Sequence, residues 1–119
     1  LLDPPCSNTG TFWKTPAERW RATPDRVRRL SAVQSAMLEN ASTHVCVGGT
    51  LVYSTCSVLP EENETVVERF LRINPEFVTV DSTPRIGLRG LRGLDSAQRL
   101  YPHIHESNGH FLAKMRRTE

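Results

Sequence analysis

Residues 50–57 read Thr-Leu-Val-Tyr-Ser-Thr-Cys-Ser, and this stretch decides the fold prediction. Its first six residues are rich in β-branched and aromatic side chains, which favour a buried strand, and Gly48-Gly49 before them favours a turn. The strand would end at Thr55, so that Cys56 lies just beyond its carboxyl end. The segment therefore predicts a buried strand that delivers a cysteine to one edge of a sheet.

Helical and strand patterns alternate on both sides of this segment. Thr23-Pro24 is typical of a helix start, and apolar side chains follow at helical spacing to about Ser42. Pro60 opens a second amphipathic stretch that ends near Asn74-Pro75. The predicted order is strand 1–3, helix 24–42, strand 50–55, helix 60–74, strand 76–81, a long loop, and strand 110–116. This alternation predicts an α/β fold with an open, mostly parallel sheet.

Composition limits the class of protein. The chain has 119 residues, 38% apolar and 24% charged, which is typical of one globular domain. No apolar run approaches the roughly 20 residues of a membrane-spanning helix, so we expect no membrane partner. Three cysteines form no disulfide framework, which favours free thiols and a cytoplasmic location. No Cys-x-x-Cys is present, and His103-x-His105 lacks ligand partners at the usual spacing, so we expect no metal site.

Two cysteines follow predicted strands. Cys6 comes after the strand that ends at Asp3, and Cys56 comes after the strand 50–55. Ligands of open α/β sheets bind beyond the carboxyl ends of the strands, and neighbouring strands lie about 5 Å apart. We therefore expect both thiols to face one pocket.

Paired thiols suit attack on a pyrimidine ring. Carbon 5 of cytosine is a poor nucleophile, but a thiolate that adds to carbon 6 pushes electron density onto carbon 5, which can then accept a methyl group. A second thiol can assist removal of the adduct, and Asp3 is placed to stabilise charge near the ring nitrogen. The base must leave its stack to reach such a pocket.

Two motifs carry a resemblance to a known family. Residues 3–10 read Asp-Pro-Pro-Cys-Ser-Asn-Thr-Gly, and residues 49–57 end in Thr-Cys-Ser. Together they resemble the RsmB/Sun family of RNA (cytosine-5)-methyltransferases. The resemblance extends to Gln34, to Pro60-Glu61-Glu62-Asn63, to Pro102-His103 and to Gly109-His110-Phe111. The chain departs from the family at Cys46-Val47-Gly48-Gly49, where the family usually has Lys-Pro-Gly-Gly, and at Asn108–Phe111, where it usually has Asp-Gly-Phe-Phe.

The resemblance implies a role for each of the three site residues. Cys56 would be the nucleophile, and Cys6 would assist release of the methylated product. Asp3 would lie between the methyl donor and the target cytosine. The implied donor is S-adenosylmethionine, the implied substrate is rRNA or tRNA, and the implied product is 5-methylcytosine.

The resemblance also implies a domain assignment. The family's glycine-rich donor loop, ribose-binding acid and catalytic lysine precede the Asp-Pro-Pro-Cys motif. Residues 1–119 are therefore expected to be the C-terminal portion of the catalytic domain, with the donor-binding N-terminal half absent. The expected fold is the C-terminal half of a Rossmann-like S-adenosylmethionine-dependent methyltransferase, with an antiparallel last strand. Such a fragment is expected to be inactive alone, to bind the donor weakly and to self-associate.

Basic residues cluster in two stretches that are candidates for RNA contact. The first spans residues 12–31, where Trp13 and Trp20 are interleaved, and the second spans residues 85–99. Lysine and arginine bind phosphates and aromatic rings stack on bases, but the same pattern is typical of a solvated surface. The candidate RNA-binding residues are Lys14, Arg19, Arg21, Arg89 and Arg92.

Three other functions fit parts of the sequence. An amino-group methyltransferase also uses Asp-Pro-Pro, although an aromatic residue normally stands where this chain has Cys6. A non-catalytic RNA-binding module would use only the basic surfaces, and its binding would be indifferent to both cysteines. A thiol redox pair would use Cys6 with Cys56 and would lose two thiols reversibly on mild oxidation.

Overall fold

The computed structural model describes all residues, 1–119, as one sheet with two main helices against it. Short 3₁₀ turns lie at Thr9–Thr11, Pro16–Trp20 and Pro60–Glu62. The strands are β1 (Thr50–Thr55), β2 (Phe77–Val80), β3 (Leu88–Arg89), β4 (Gln98–Leu100) and β5 (His110–Arg117). The helices are α1 (Pro24–Ser42), α2 (Glu64–Ile73) and α3 (Pro102–His105). No helix combines the length and apolar character that crossing a membrane requires.

Strand β5 is the centre of the sheet. It pairs antiparallel with β1 along one edge, from Thr50 opposite Arg116 to Thr55 opposite Phe111. Its other edge is shared by β2 and β4, both antiparallel, and β3 continues the sheet beyond β4. The antiparallel last strand that the sequence analysis predicted is confirmed.

The prediction of a mostly parallel sheet is wrong for the strand pairs of this chain. The only parallel contact is the bridge between Leu2 and Tyr53, with hydrogen bonds from Leu2 N to Val52 O at 2.8 Å and from Ser54 N to Leu2 O at 3.0 Å. Because β5 is inserted between β1 and β2, these two strands run in the same direction without touching. The sequence of elements is α/β, but the returning strand makes every ladder antiparallel.

The predicted first helix is confirmed at both ends. Thr23 caps α1, since its hydroxyl accepts a hydrogen bond from Arg26 N at 3.2 Å, and Pro24 occupies the first turn. The second helix is shorter than predicted because the chain breaks at Asn63, with φ −116° and ψ −95°. The Asn63 side chain accepts from the Thr55 hydroxyl and donates to Ser57 O at 2.8 Å. These two hydrogen bonds of Asn63 hold the start of α2 against the end of β1.

The core lies between the sheet and the helices. Alternate residues of β1 and β5 face inward, as the two-residue period of a strand requires, and α2 covers them. The fully buried side chains of this core include Leu38, Tyr53, Val66, Val67, Phe111, Ala113 and Met115. This packing fixes the carboxyl end of β1, where Cys56 follows.

The segment predicted as a long loop, 82–109, contains β3, β4 and α3, and it buries an arginine. Arg99 is 1% exposed, and its Nε donates to the carboxylate of fully buried Glu64 at 2.6 Å. A second guanidinium nitrogen donates to Val58 O at 2.8 Å. Burial raises the pKa of Glu64, but hydrogen bonds from Arg99 and from Leu91 N outweigh it and hold the pKa below its usual value. Arg99 is therefore part of the interior, and it does not belong to the basic surface predicted over 85–99.

Replacing Arg99 by methionine should lower the free energy of unfolding by about 3–5 kcal/mol, because it leaves the Glu64 carboxylate buried without its partner. Urea denaturation followed by circular dichroism measures this. The deficit should begin to shrink as the pH falls below the unfolded glutamate pKa of about 4.3, and should shrink further until the pH is below the lowered pKa of folded Glu64, where the wild-type carboxylate is protonated as well.

The matched control is Arg92→Met. Arg92 forms an exposed ion pair with Glu68 at 3.5 Å, and its loss should cost about 1 kcal/mol or less. Equal losses for the two variants would contradict the assigned role of the Arg99–Glu64 pair.

Candidate active site

The structure brings two of the predicted site residues into contact. Cys6 follows the segment that bridges to β1, Cys56 follows β1 itself, and their Sγ atoms are 3.1 Å apart. Both thiols are free; Cys6 is buried and Cys56 is half-buried. Cys46 is exposed and does not contact them. The two thiols therefore meet at the strand ends as expected, but neither lines any of the four main clefts of the surface, so the expected shared pocket is not seen.

Asn8 touches both sulfurs, and the sequence analysis did not single it out. Its Oδ1 is 2.9 Å from the Sγ of Cys56 and 3.4 Å from the Sγ of Cys6. Its backbone has φ 58° in the left-handed region, which asparagine tolerates better than most residues. This turn directs the amide of Asn8 at the pair.

A buried carboxylate joins the segments that carry the cysteines. Glu62 is fully buried and accepts hydrogen bonds from Ser7 N at 2.8 Å, from the Ser7 hydroxyl at 2.6 Å and from the Ser57 hydroxyl. The Gln34 amide of α1 donates to the same carboxylate at 3.0 Å and to Pro5 O at 2.9 Å. Because Ser7 follows Cys6 and Ser57 follows Cys56, one carboxylate holds both cysteine segments and α1 together.

A second set of contacts is made by backbone atoms. Gly10 N donates to Cys56 O at 2.8 Å, and Gly109 N donates to Gly10 O at 2.7 Å. A Cβ atom on Gly10 would lie 2.6 Å from Cys56 O and 2.5 Å from Gly109 O, which is too close for any side chain. Glycine at position 10 is thus required by this close approach.

The two thiols share a proton. A hydrogen bond from the Cys56 thiol is the largest influence on Cys6 and lowers its pKa to about 7, although burial opposes the shift. The same contact raises the pKa of Cys56 well above its usual range, and burial adds to that. Above pH 7 the pair therefore carries mainly one negative charge, which the second thiol stabilises by hydrogen bonding.

Asp3 lies at the edge of this arrangement. It is exposed, and its carboxylate forms no hydrogen bond or ion pair in the structure. It is close enough to contribute to the raised pKa of Cys56.

Two histidines lie near the end of β1 and the start of β5. His110 stands at the same end of β1 as the cysteines, with its Nδ1 2.6 Å from Thr55 O. The turn before β5 is ordered by His105, whose Nδ1 accepts from Tyr101 N at 2.9 Å.

The first basic stretch is exposed and only partly paired. Lys14 forms no ion pair, and the Arg19 guanidinium lies 4.8 Å from the ring centre of Trp20. Arg21 lies 3.4 Å from the carboxylate of Glu18. Lys14 and Arg19 therefore keep their charge available to an anionic partner.

The second basic stretch is more fully engaged. Arg89 pairs with Asp95 at 3.7 Å, and Arg92 pairs with Glu68 at 3.5 Å. Both arginines stay more than half exposed. Their local acidic partners leave less unbalanced positive charge here than the sequence suggested.

The cysteine pair has no companion ligands for a metal ion. No group of three or more histidine, cysteine, aspartate or glutamate side chains is placed to hold one. The chemistry that the geometry offers is that of a thiol–thiolate pair with an uncommitted carboxylate, Asp3, beside it.

A family model described as 16S rRNA methyltransferase RsmB/F matches residues 1–116. A curated relative from Synechocystis sp., a probable ribosomal RNA small subunit methyltransferase B, is 36% identical over 99% of this chain and 27% of that protein. The 26S rRNA (cytosine-C(5))-methyltransferase nsun-1 of Caenorhabditis elegans is 34% identical over 98% of this chain and 19% of that protein. The chain thus spans about a quarter or less of the length of these relatives.

A solved structure has the same fold. The crystal structure of NSun6 from Pyrococcus horikoshii with SFG superposes with a TM-score of 0.87 and 33% identity. The match covers 99% of this chain and 29% of that one. The antiparallel sheet described above is therefore the arrangement of a known methyltransferase structure.

With Cys46 replaced by alanine, absorbance of thiolate near 240 nm should show one thiolate forming at about pH 7, and the second should not form in the accessible range. Adding Cys56→Ala should move the Cys6 midpoint upward, towards that of an ordinary thiol, because the main stabilising donor is gone. Two independent midpoints near the ordinary value in the parent protein would contradict the shared proton.

Proposed function

The chain belongs to the 16S rRNA methyltransferase RsmB/F family, and we propose that it contributes the cysteine pair that methylates carbon 5 of a cytosine in rRNA or tRNA. The observation that carries this proposal is the contact of Cys6 and Cys56 at 3.1 Å, at the carboxyl end of β1. A thiolate that a second thiol stabilises is a strong nucleophile at neutral pH. Because both sulfurs must stay reduced, we place the activity in the cytoplasm.

Cys56 is the nucleophile in this proposal. It is the more exposed of the two cysteines, whereas Cys6 is buried. Cys6 carries the negative charge at rest, so it takes the proton of Cys56 across 3.1 Å as the base enters. The Cys56 thiolate then forms a bond to carbon 6 of the cytosine, and the electron pair of the ring double bond moves towards carbon 5.

Release of the product requires a base and a leaving sulfur. Once carbon 5 has received its methyl group, its hydrogen must depart as a proton, and Cys6 is placed to accept it after losing its own proton to water. The electron pair of the broken carbon–hydrogen bond restores the ring double bond and expels Cys56 as a thiolate. The pair thus returns to one proton on two sulfurs.

Asp3 is the residue that we assign to the methyl donor and to the cytosine. Methyltransferases of this family use S-adenosylmethionine, which supplies the methyl group when bound. The donor fits this chain because the carboxylate of Asp3 has no partner: it is exposed, forms no ion pair and lies near the Cys56 thiol. A carboxylate in this place attracts the positive charge of a sulfonium, and it can accept a hydrogen bond from the amino group of the base.

RNA binding in the proposal uses the exposed basic residues. Lys14, Arg19 and Arg21 are exposed on the segment that joins Cys6 to α1, and we assign them to phosphates on either side of the target base. Arg89 and Arg92 must exchange Asp95 and Glu68 for phosphates. We therefore assign the larger share of phosphate contact to the first stretch.

In the protein that contains this sequence, RNA with 5-azacytidine at the target should form a covalent adduct with Cys56, since the modified ring cannot lose a proton from position 5. Denaturing gel electrophoresis measures the adduct. Cys56→Ser should abolish it, and the matched variant Cys46→Ser should not change it. An undiminished adduct in Cys56→Ser would overturn the assignment, and no adduct in any variant would favour an RNA-binding module or a redox pair.

The same assay distinguishes the two cysteines. With unmodified RNA and S-adenosylmethionine, Cys6→Ala should form the Cys56–RNA complex more slowly, because Cys56 must then lose its proton to water. The complex should nevertheless accumulate, because proton removal from carbon 5 fails. Normal turnover by this variant would reject the release role of Cys6.

A further inference from the structure

A cleft between the segment that follows Gly10 and the helix α3 has no role in the chemistry described above. It has a volume of about 450 Å³ and is lined by Trp13, Pro102, His103 and Glu106. The Trp13 indole is 62% exposed, and His103 is exposed as well. Trp20 is exposed as well, but only the indole of Trp13 lines a cleft, where its ring is open to a planar ligand.

The cleft is joined to the nucleophile by short backbone connections. Trp13 follows Gly10 by three residues, and the helix α3 ends shortly before Gly109. Gly109 N donates to Gly10 O at 2.7 Å, and Gly10 N donates to Cys56 O at 2.8 Å. Both walls of the cleft are therefore held in place relative to Cys56.

The lining selects a flat, uncharged group. The indole of Trp13, the ring of Pro102 and the imidazole of His103 offer planar or apolar surfaces for stacking. His103 is itself steadied by Tyr101, whose ring centre lies 5.7 Å away. The carboxylate of Glu106 repels a phosphate from the cleft, and it can accept a hydrogen bond from an amino group.

We propose that this cleft binds an unstacked nucleobase of single-stranded RNA, next in the strand to the cytosine that reaches Cys56. The proposal rests on the proposed function, because it takes the RNA strand as already held at the cysteine pair. Drawing one base out of a stack exposes the faces of its neighbours, and an aromatic platform compensates that loss. Lys14 follows Trp13 in the chain and forms no ion pair, so its charge is available to the phosphate of the same nucleotide.

The two tryptophans of the chain allow each to be followed alone. In Trp20→Phe, the fluorescence of Trp13 should be quenched when a single-stranded RNA oligonucleotide containing the target cytosine is added. In Trp13→Phe, the fluorescence of Trp20 should be quenched less than that of Trp13, because Arg19 already covers one face of the Trp20 ring and RNA reaches Trp20 only through Arg19. Quenching of Trp20 alone would overturn the proposal.

Affinity gives the second readout. Trp13→Ala should weaken binding of the oligonucleotide about 5-fold to 100-fold, as expected for one lost base–aromatic stack. Ile73→Ala, which shortens an exposed apolar side chain on α2 outside both basic stretches, is the control and should bind within about twofold of the parent protein. Unchanged affinity in Trp13→Ala would overturn the proposal.

An abasic nucleotide identifies the occupant. Removing the base on one side of the target cytosine should weaken binding to the parent protein, and Trp13→Ala should show no further loss with that abasic RNA. Additive losses, or an effect of Trp13→Ala that no abasic position reproduces, would mean that another group fills the cleft. The 5-azacytidine adduct distinguishes the role of Cys56 from the role of the cleft. If the adduct forms at Cys56 while Trp13→Ala binds RNA normally, the nucleobase site in the cleft is rejected and the role of Cys56 stands.

Discussion

The carboxylate of Glu62 is the contact on which the site depends. It is fully buried and receives donors from three segments: Ser7 beside Cys6, Ser57 beside Cys56, and Gln34 on α1. A buried carboxylate that lost these donors would be strongly destabilising, since charge in the interior must be hydrogen-bonded. The interaction is therefore satisfied only when both cysteine segments lie against the middle of α1, at Gln34. Folding of the core around Glu62 therefore fixes the distance between the two sulfurs.

The same carboxylate shapes the charge of the thiol pair. Its negative charge opposes ionisation of Cys6, whereas the Cys56 thiol and the Asn8 backbone favour it more strongly and bring the pKa to about 7. One thiolate is tolerated and a second is not, as the raised pKa of Cys56 indicates. A pair that holds one proton can pass it from one sulfur to the other without net charge entering a half-buried site. That property suits a cycle in which one sulfur attacks and the other removes a proton.

Local sequence patterns predicted the elements but not how they pair. The bounds of α1, the strand 50–55 and the positions of Cys6 and Cys56 follow from periodicity, capping and strand propensity, which are local. The insertion of β5 between β1 and β2 depends on pairing over some sixty residues, and nothing in residues 110–117 specifies a neighbour. Arg99 read as one more surface arginine because its partner, Glu64, is 35 positions away. Glu62 lies in a sequence motif, but the motif did not predict its burial, because burial depends on Ser7 and Ser57 coming together in the folded protein.

Reaction with a trivalent arsenical such as phenylarsine oxide tests most directly whether Glu62 holds the cysteine pair together, because arsenic is chelated only by two thiols that lie close to each other. Glu62→Gln keeps the size of the side chain but removes an acceptor and adds donors that face Ser7 and Gln34. The account predicts that this change weakens the arsenical complex by about tenfold or more. Glu64→Gln is the control, because Glu64 is equally buried but does not contact the cysteine segments, and it should leave the affinity near the parent value. Circular dichroism must show that both variants remain folded. An unchanged arsenical affinity in folded Glu62→Gln would contradict the claim.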